Sequence, residues 1–332
     1  MGTDKNTFSK QLLTWYANNG RTLPWRESRD PYCIWIAEIM LQQTTVTAVI
    51  PYYERFLKTF PTLENLANAD QQEVLHLWQG LGYYSRARNL HACAKQIISE
   101  HEGCFPKSEE GLLKLKGIGP YTAAAIAAQA FNLRANVVDG NVERVMSRYF
   151  KVEEKLPKAK KQLKEHADTL VPPRGDFHSY ANAIMELGAR VCTPKSPNCE
   201  SCPVSKGCKA LKRGNPTDYP KKLPKKKTPE KHATVYLIRD RKGRLYLNQR
   251  PEKGLLGGLW QPHHEGWEKK QDAPYSTQEN NHIGFVKHVF THFTLTLDVR
   301  EVKASKEFPG WFDPENLPPL PTLFTKAIKL QT

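Results

Sequence analysis

A chain of 332 residues has room for two separately cored domains, and 49 Lys and Arg against 34 Asp and Glu leave it with a formal charge of +15. That excess points to a polyanionic partner, nucleic acid before a membrane surface, because no basic amphipathic anchor is evident. There is no apolar run of the ~18 residues needed to span a bilayer, the polar start MGTDKNTFSK lacks a signal core, and Asn6 breaks the myristoylation pattern.

Up to about residue 215 the chain reads as helical, with segments at 31–58, 71–78, 85–100 and 121–131 punctuated by Pro and Gly. Within the first segment Glu38 has Ile34, Trp35, Leu41 and Gln42 at helical spacing. That helix is apolar nearly all round, so the Glu38 carboxyl is expected to be buried and to favour its neutral, proton-carrying form. The stretch 115–129, LKGIGPYTAAAIAAQ, turns at Lys116, Gly117, Gly119 and Pro120 before an Ala-rich helix. Glycines admit a ligand close to the backbone and a new helix offers free N–H groups, so a phosphate site is one reading. A plain interhelical turn is the other. Asp139 stands at a bend before Gly140 and Asn141, either as the N-cap of the helix that follows or as a carboxylate facing a cleft.

Cys192, Cys199, Cys202 and Cys208 fall within seventeen residues as C-x6-C-x2-C-x5-C. Soft thiolates at this density suit zinc or an iron–sulfur cluster. Zinc sites usually pair two short knuckles and only one is present, which favours [4Fe–4S], whose corners tolerate uneven spacing. Cys33, Cys93 and Cys104 fit no obvious pairing, as expected of a reducing compartment. The expectation is a soluble, intracellular (cytoplasmic) protein.

Residues 219–231 hold six lysines and three prolines after Tyr219 and read as an extended, exposed linker. Beyond it the pattern becomes β-rich at 233–240, 244–250 and 290–299, with a turn at 241–243. The expected organisation is a mainly α domain at 1–218, the linker, and a small α/β domain at 232–332.

Taken together, the stretches GRTLPWR (20–26), WIAEIMLQQT (35–44), GLGYYSRARNLH (80–91), LKGIGPYTA (115–123), VDGNVERV (138–145) and the cysteine motif make the chain resemble adenine DNA glycosylases of the MutY type. These belong to the helix-hairpin-helix superfamily that includes endonuclease III. The resemblance implies a helix-hairpin-helix glycosylase domain with an iron–sulfur loop, followed by a Nudix-like domain. It further implies a monomer acting on double-stranded DNA, releasing adenine paired with 8-oxoguanine or guanine.

Residue by residue, the resemblance makes Glu38 the acid that protonates adenine N7, and Asp139, oriented by Asn141, the support for an oxocarbenium-like sugar. This matches the two-carboxylate logic of glycoside hydrolysis. Tyr121 stands where bifunctional relatives carry a Schiff-base lysine, so strand cleavage is not expected. Glu143 replaces a lysine that traps abasic product in some members. Arg21, Leu23, Trp25 and Arg26 correspond to the adenine pocket, with Leu41 and Val46 from the catalytic helix. Gln43 and Tyr83 correspond to duplex wedges. Lys116, Gly117 and Gly119 correspond to the backbone-gripping hairpin. The segment 254–260 sits where Nudix domains are glycine-rich, and 266–274 lacks the glutamates of a working hydrolase. The lesion-reading loop reads Phe290-Thr291-His292, with Thr in place of the family's Ser. Tyr121 and the extra domain argue against an endonuclease III-like activity on oxidised pyrimidines, the missing glutamates against a nucleotide-pool hydrolase, and the two carboxylates against a purely DNA-binding protein.

Overall fold

The computed structural model describes residues 5–224, 227–252, 254–266, 280–304 and 309–331. The chain divides into two compact units, Met1–Asn68 with Ala92–Lys225, and Ala69–His91 with Lys226–Thr332. In chain order the helices are α1 (Lys5–Asn19), α2 (Pro31–Leu41), α3 (Val46–Thr59), α4 (Leu63–Asn68), α5 (Gln71–Leu77), α6 (Ser85–His101), α7 (Glu109–Leu113), α8 (Pro120–Gln129), α9 (Gly140–Phe150), α10 (Lys160–Leu170), α11 (Phe177–Glu186) and α12 (Lys209–Lys212).

The first unit is helical. α2 begins where Asp30 accepts from the Tyr32 N–H at 2.8 Å, with Pro31 in the first turn, where its missing N–H does no harm. Apart from half-buried Cys33 it is buried from Tyr32 to Met40, and it packs against α3 and α8. α11 packs against α1 and α8, and α9 against α10 and α12. A single helix over 31–58 was expected, but the chain breaks at 42–45. Gln43 takes a left-handed backbone (φ 61°), and the Thr45 side chain caps α3 afresh. Val46 therefore opens α3 and does not share a helix with Glu38.

The linker expected to lie free is anchored at its start. Tyr219 is buried, its carbonyl accepts from Arg148 Nε at 3.0 Å, and its hydroxyl donates to Glu153 at 2.6 Å. Lys221 also pairs with Glu153, and the Leu156 N–H donates to the Lys221 carbonyl at 2.9 Å. A buried aromatic outweighs the solubility of its lysine neighbours.

In the second unit the strands are β1 (Glu230–Arg239), β2 (Leu245–Tyr246), β3 (Asn248–Gln249), β4 (Trp260–Gln261), β5 (His263–Glu265), β6 (Asn280–Val289), β7 (Thr294–Lys303) and β8 (Trp311–Phe312), and a helix, α13 (Thr322–Ile328), follows. The main sheet runs β6-β7-β1-β2-β8, with β5 also paired to β1; β3 and β4 form a separate pair. β1 lies parallel to β7 over ten residues, while its other pairings are antiparallel. Its continuous apolar run follows from burial on both faces: Val235 and Leu237 enter the core under α13, and Tyr236 and Ile238 enter a second cluster with Val302. β1 starts three residues earlier than the pattern indicated, and the run at 244–250 splits into β2 and β3. The strand expected from 290 starts at Thr294, because 290–293 form the β6–β7 turn, closed by the Phe290 N–H donating to the Phe293 carbonyl at 2.8 Å. Residues 267–274, where the Nudix glutamates are missing from the sequence, lie outside the described residues.

Residues 69–91 belong to this second unit through hydrogen bonds that local periodicity does not reveal. Tyr84 Oη donates to the Leu320 carbonyl at 3.4 Å, Gln72 Nε2 to the Gly258 carbonyl at 3.4 Å, and Arg88 Nη1 to the Gly257 carbonyl. The glycine-rich segment thus offers carbonyls to an arginine and a glutamine.

Leu297 on β7 is fully buried in the core under α13. Leu297→Ala should cost about 2–5 kcal/mol, read as a lowered unfolding midpoint in denaturant.

Candidate active site

The first unit contains a cavity of about 990 Å³ lined by Glu38, Asp139, Asn141, Tyr121, Arg21, Leu23, Trp25, Arg26, Leu41, Gln43, Val46, Gly117 and Gly119, among others. Sequence positions more than a hundred residues apart therefore share one wall. Tyr83 and residues 290–292 belong to the second unit. The Lys116 side chain is exposed and is absent from this lining.

Glu38 is only 4 % exposed. Its Oε2 accepts from the Tyr121 hydroxyl at 2.7 Å, and its Oε1 from Gln129 Nε2 at 2.8 Å. Burial raises its pKa above the usual carboxylate value; the two hydrogen bonds act in the opposite direction and are outweighed. Gln129, fully buried at the end of α8, carries no local signal of this role, because it only ends an alanine run. Burial beside Glu38 also pushes the Tyr121 phenol well above its ordinary value, so it stays protonated.

Asp139 fills both of the roles that its sequence left open. Oδ1 caps α9 by accepting from the N–H groups of Asn141 (2.9 Å) and Val142 (2.7 Å), and Oδ2 accepts from Asn141 Nδ2 at 2.7 Å. Arg144 continues the chain, donating from Nη2 to Asn141 Oδ1 at 2.9 Å and to the Gly188 carbonyl at 2.6 Å, and from Nε to the Cys192 carbonyl at 2.7 Å. The catalytic candidate is thereby linked to the cysteine loop.

The two arginines that correspond to the adenine pocket both pair with Glu186. Arg21 holds fully buried Glu186 through Nε (2.6 Å) and Nη2 (2.8 Å), and Arg26 Nη2 adds a contact at 2.7 Å. Burial works against the charge on Glu186, but these partners outweigh it and hold its pKa below the usual range. Trp25 is buried edge-on against Tyr53, 5.3 Å between ring centroids, so it shapes the cavity as part of a packed wall. Glu186 was missed: nothing in its local sequence separates it from a surface glutamate.

In the hairpin the Lys116 N–H donates to Gln96 Oε1 at 3.0 Å. Gly117 has φ +75°, which favours glycine, whereas Gly119 is extended and a Cβ there would meet nothing within 4 Å.

The four cysteines 192, 199, 202 and 208 line one cavity with Arg148, Val191 and Leu211. Arg148 Nη1 donates to Cys192 Sγ at 3.3 Å and to the Thr193 carbonyl at 2.7 Å. Among the described residues no three His, Cys, Asp or Glu side chains are gathered as around a single metal ion, and no disulfide is formed. Burial pushes the Cys202 thiol up to about 12, with its neighbours' charges adding to the effect.

The second unit has its own cavity of about 360 Å³, lined by Tyr83, Arg88, Leu256, Phe290, Thr291 and His292, among others. Tyr83, half exposed and left-handed (φ 48°), shares a hydrogen bond of 3.1 Å with Thr291 Oγ1.

Comparison with known proteins identifies the family and the fold. The family of HhH-GPD superfamily base excision DNA repair proteins matches residues 36–173, and the NUDIX domain matches residues 234–330. The adenine DNA glycosylase of Rattus norvegicus is 34% identical, aligned over 92% of this chain and 72% of its own length. That of Buchnera aphidicola subsp. Schizaphis graminum is 34% identical over 93% of each chain. The chain belongs to the adenine DNA glycosylase family. A thermostable thymine-DNA glycosylase structure superposes with a TM-score of 0.58 at 34% identity, covering 63% of this chain and 97% of that one. A non-covalent endonuclease III–DNA complex gives 0.52 at 23% identity over 64% and 99%, which supports the helical fold. As a member of the adenine DNA glycosylase family, the protein is a DNA glycosylase of base excision repair with DNA as its substrate. Among the described residues no helix is long and apolar enough to cross a membrane.

Gly188 packs against Asn141 so closely that an added Cβ would lie 2.7 Å from Asn141 Cβ and 3.0 Å from its carbonyl oxygen. Gly188→Ala should push Asn141 off Asp139 and slow base release by about tenfold to a hundredfold. DNA affinity should change far less, as single-turnover and binding assays would show.

Proposed function

We propose that the chain releases adenine paired with 8-oxoguanine or guanine, with Glu38 as general acid and Asp139 stabilising the sugar cation. The carrying observation is a buried carboxyl with a raised pKa and a second carboxylate lining one cavity. An extruded adenine enters that cavity, and Glu38 transfers its proton to N7, making the base a better leaving group. Positive charge then develops at C1′, where Asp139, held by Asn141, stabilises it until water adds. Tyr121 has no amine for a Schiff base, so the reaction stops at the abasic site. Leu23, Trp25, Leu41 and Val46 give the base an apolar wall, while Glu186 keeps Arg21 and Arg26 in place. Gln43 is proposed as a wedge, and Lys116, Gly117 and Gly119 as the grip on the DNA backbone.

In the second unit, Tyr83 with Phe290, Thr291 and His292 is proposed to read the base opposite the adenine. The Tyr83–Thr291 hydrogen bond supports a shared role. The four cysteines are proposed to hold a [4Fe–4S] cluster. Four thiols around one cavity suit a group with four corners better than a single ion. The cluster's role would be structural, fixing the loop that carries Lys206, Lys209, Lys212 and Arg213. The protein is proposed to act as a monomer on intracellular DNA, with domain limits along the chain at 1–218 and 232–332 except that residues 69–91 group with the second unit.

Glu38→Gln should retain binding to adenine:8-oxoguanine duplex and lose base release by about 10²–10⁴-fold. Near-normal turnover would remove Glu38 from the mechanism. In the wild type, release should fall as pH rises through the raised Glu38 pKa, because the acid form is lost. Thr291→Ala should narrow the preference for 8-oxoguanine over guanine opposite adenine, and an unchanged ratio would count against the loop's role.

A further inference from the structure

The Tyr121 hydroxyl has two acceptors within reach, Glu38 Oε2 at 2.7 Å and Met185 Sδ at 3.3 Å. A phenol donates one hydrogen and accepts through its lone pairs, whereas a thioether sulfur only accepts. The other carboxyl oxygen of Glu38, Oε1, faces the donating amide of Gln129 at 2.8 Å. A proton on Glu38 therefore belongs on Oε2, facing the phenol. Once it is there the phenol oxygen must accept, and the phenol's own hydrogen must turn elsewhere. Met185, one residue before Glu186 on α11, puts its sulfur where that hydrogen can go.

We propose that Met185 completes a two-position hydrogen-bond relay through Tyr121 that lets Glu38 load and hold its proton. With Glu38 charged, Tyr121 donates to Oε2. With Glu38 protonated, Oε2 donates to Tyr121 and Tyr121 donates to sulfur. No covalent bond changes in this reversal; only the direction of two hydrogen bonds does. Met185 is thus a positioning residue, and the proposal rests on the reading of Glu38 as the general acid. The relay matters because a phenol locked as donor would favour the carboxylate, the state that cannot protonate adenine. The other groups acting on Glu38 are Asp139, which favours the neutral acid, and Arg26, which favours the charged form. Arg21, Arg144 and Glu186 line the same cavity.

The test follows the Glu38 carboxyl itself, by infrared spectroscopy of its protonated C=O stretch, assigned by its loss in Glu38→Gln. Met185→Leu conserves volume and removes the acceptor. It should lower the pH at which the band disappears by about half a unit, roughly a threefold loss of acid at a fixed pH above that point. In a Tyr121→Phe background, with no phenol hydrogen to re-aim, the same Met185→Leu change should move nothing. A titration unmoved by Met185→Leu would overturn the relay. An equal shift in both backgrounds would overturn it too, since the methionine would then act by packing alone. Single-turnover adenine release from an adenine:8-oxoguanine duplex, measured against pH on the same proteins, should shift in parallel. A shifted titration with unshifted base release would leave the relay standing and remove Glu38 as the acid.

Discussion

The site depends on one unfavourable placement, a carboxyl group inside a helix that is otherwise apolar on every side. Ionised and alone, such a group would cost several kcal/mol in that position. Two donors on α8, Tyr121 and Gln129, make it tolerable. They stand about 12 Å apart along the helix axis, so only long side chains can converge on the same carboxyl. The alanines between them, buried throughout, let α8 come close enough to α2 for that convergence. Pairing of these helices and protonation of Glu38 are aspects of one packing arrangement.

Charge in the cavity wall is managed locally. Glu186 engages two arginines that would otherwise present free guanidinium groups to the cavity. Breaking such a buried set by removing one partner leaves an unpaired charge, which is far more costly than the net value of the set. Asp139, Asn141, Arg144 and the Cys192 carbonyl form a second connected line. Any group that orders the cysteine loop therefore acts on the geometry of the aspartate, with no contact to the reacting atoms required.

Much of this was legible in the sequence. Glu38 could be placed inside because its helical neighbours are large and apolar, and Asp139 was read as either cap or cleft residue because Gly140 and Asn141 follow it. That the four cysteines line one cavity follows from their spacing. What could not be read depended on partners distant in sequence. Gln129 and Glu186 look like ordinary polar residues until the residues they meet, 91 and 160 or more positions away, are known. Trp25 and Arg26 correspond to the adenine pocket by resemblance and do line the cavity, but their packing on Tyr53 and pairing with Glu186 have no signal in the local sequence. The break at Gln43 was invisible because a left-handed glutamine leaves no mark in hydrophobic periodicity. The burial of Tyr219 is masked in the sequence by the six lysines that follow it.

The grouping of residues 69–91 with the C-terminal unit means that the boundary in the fold is not a boundary along the chain. Gln72, Tyr84 and Arg88 find their acceptors in carbonyls contributed after residue 250. A protein shortened at the lysine-rich stretch would keep the GLGYYSRARNLH segment and lose the groups that hold it. The C-terminal region is thus less an attachment than a second half, and exchanging it between relatives would require exchanging an internal piece of the helical half with it.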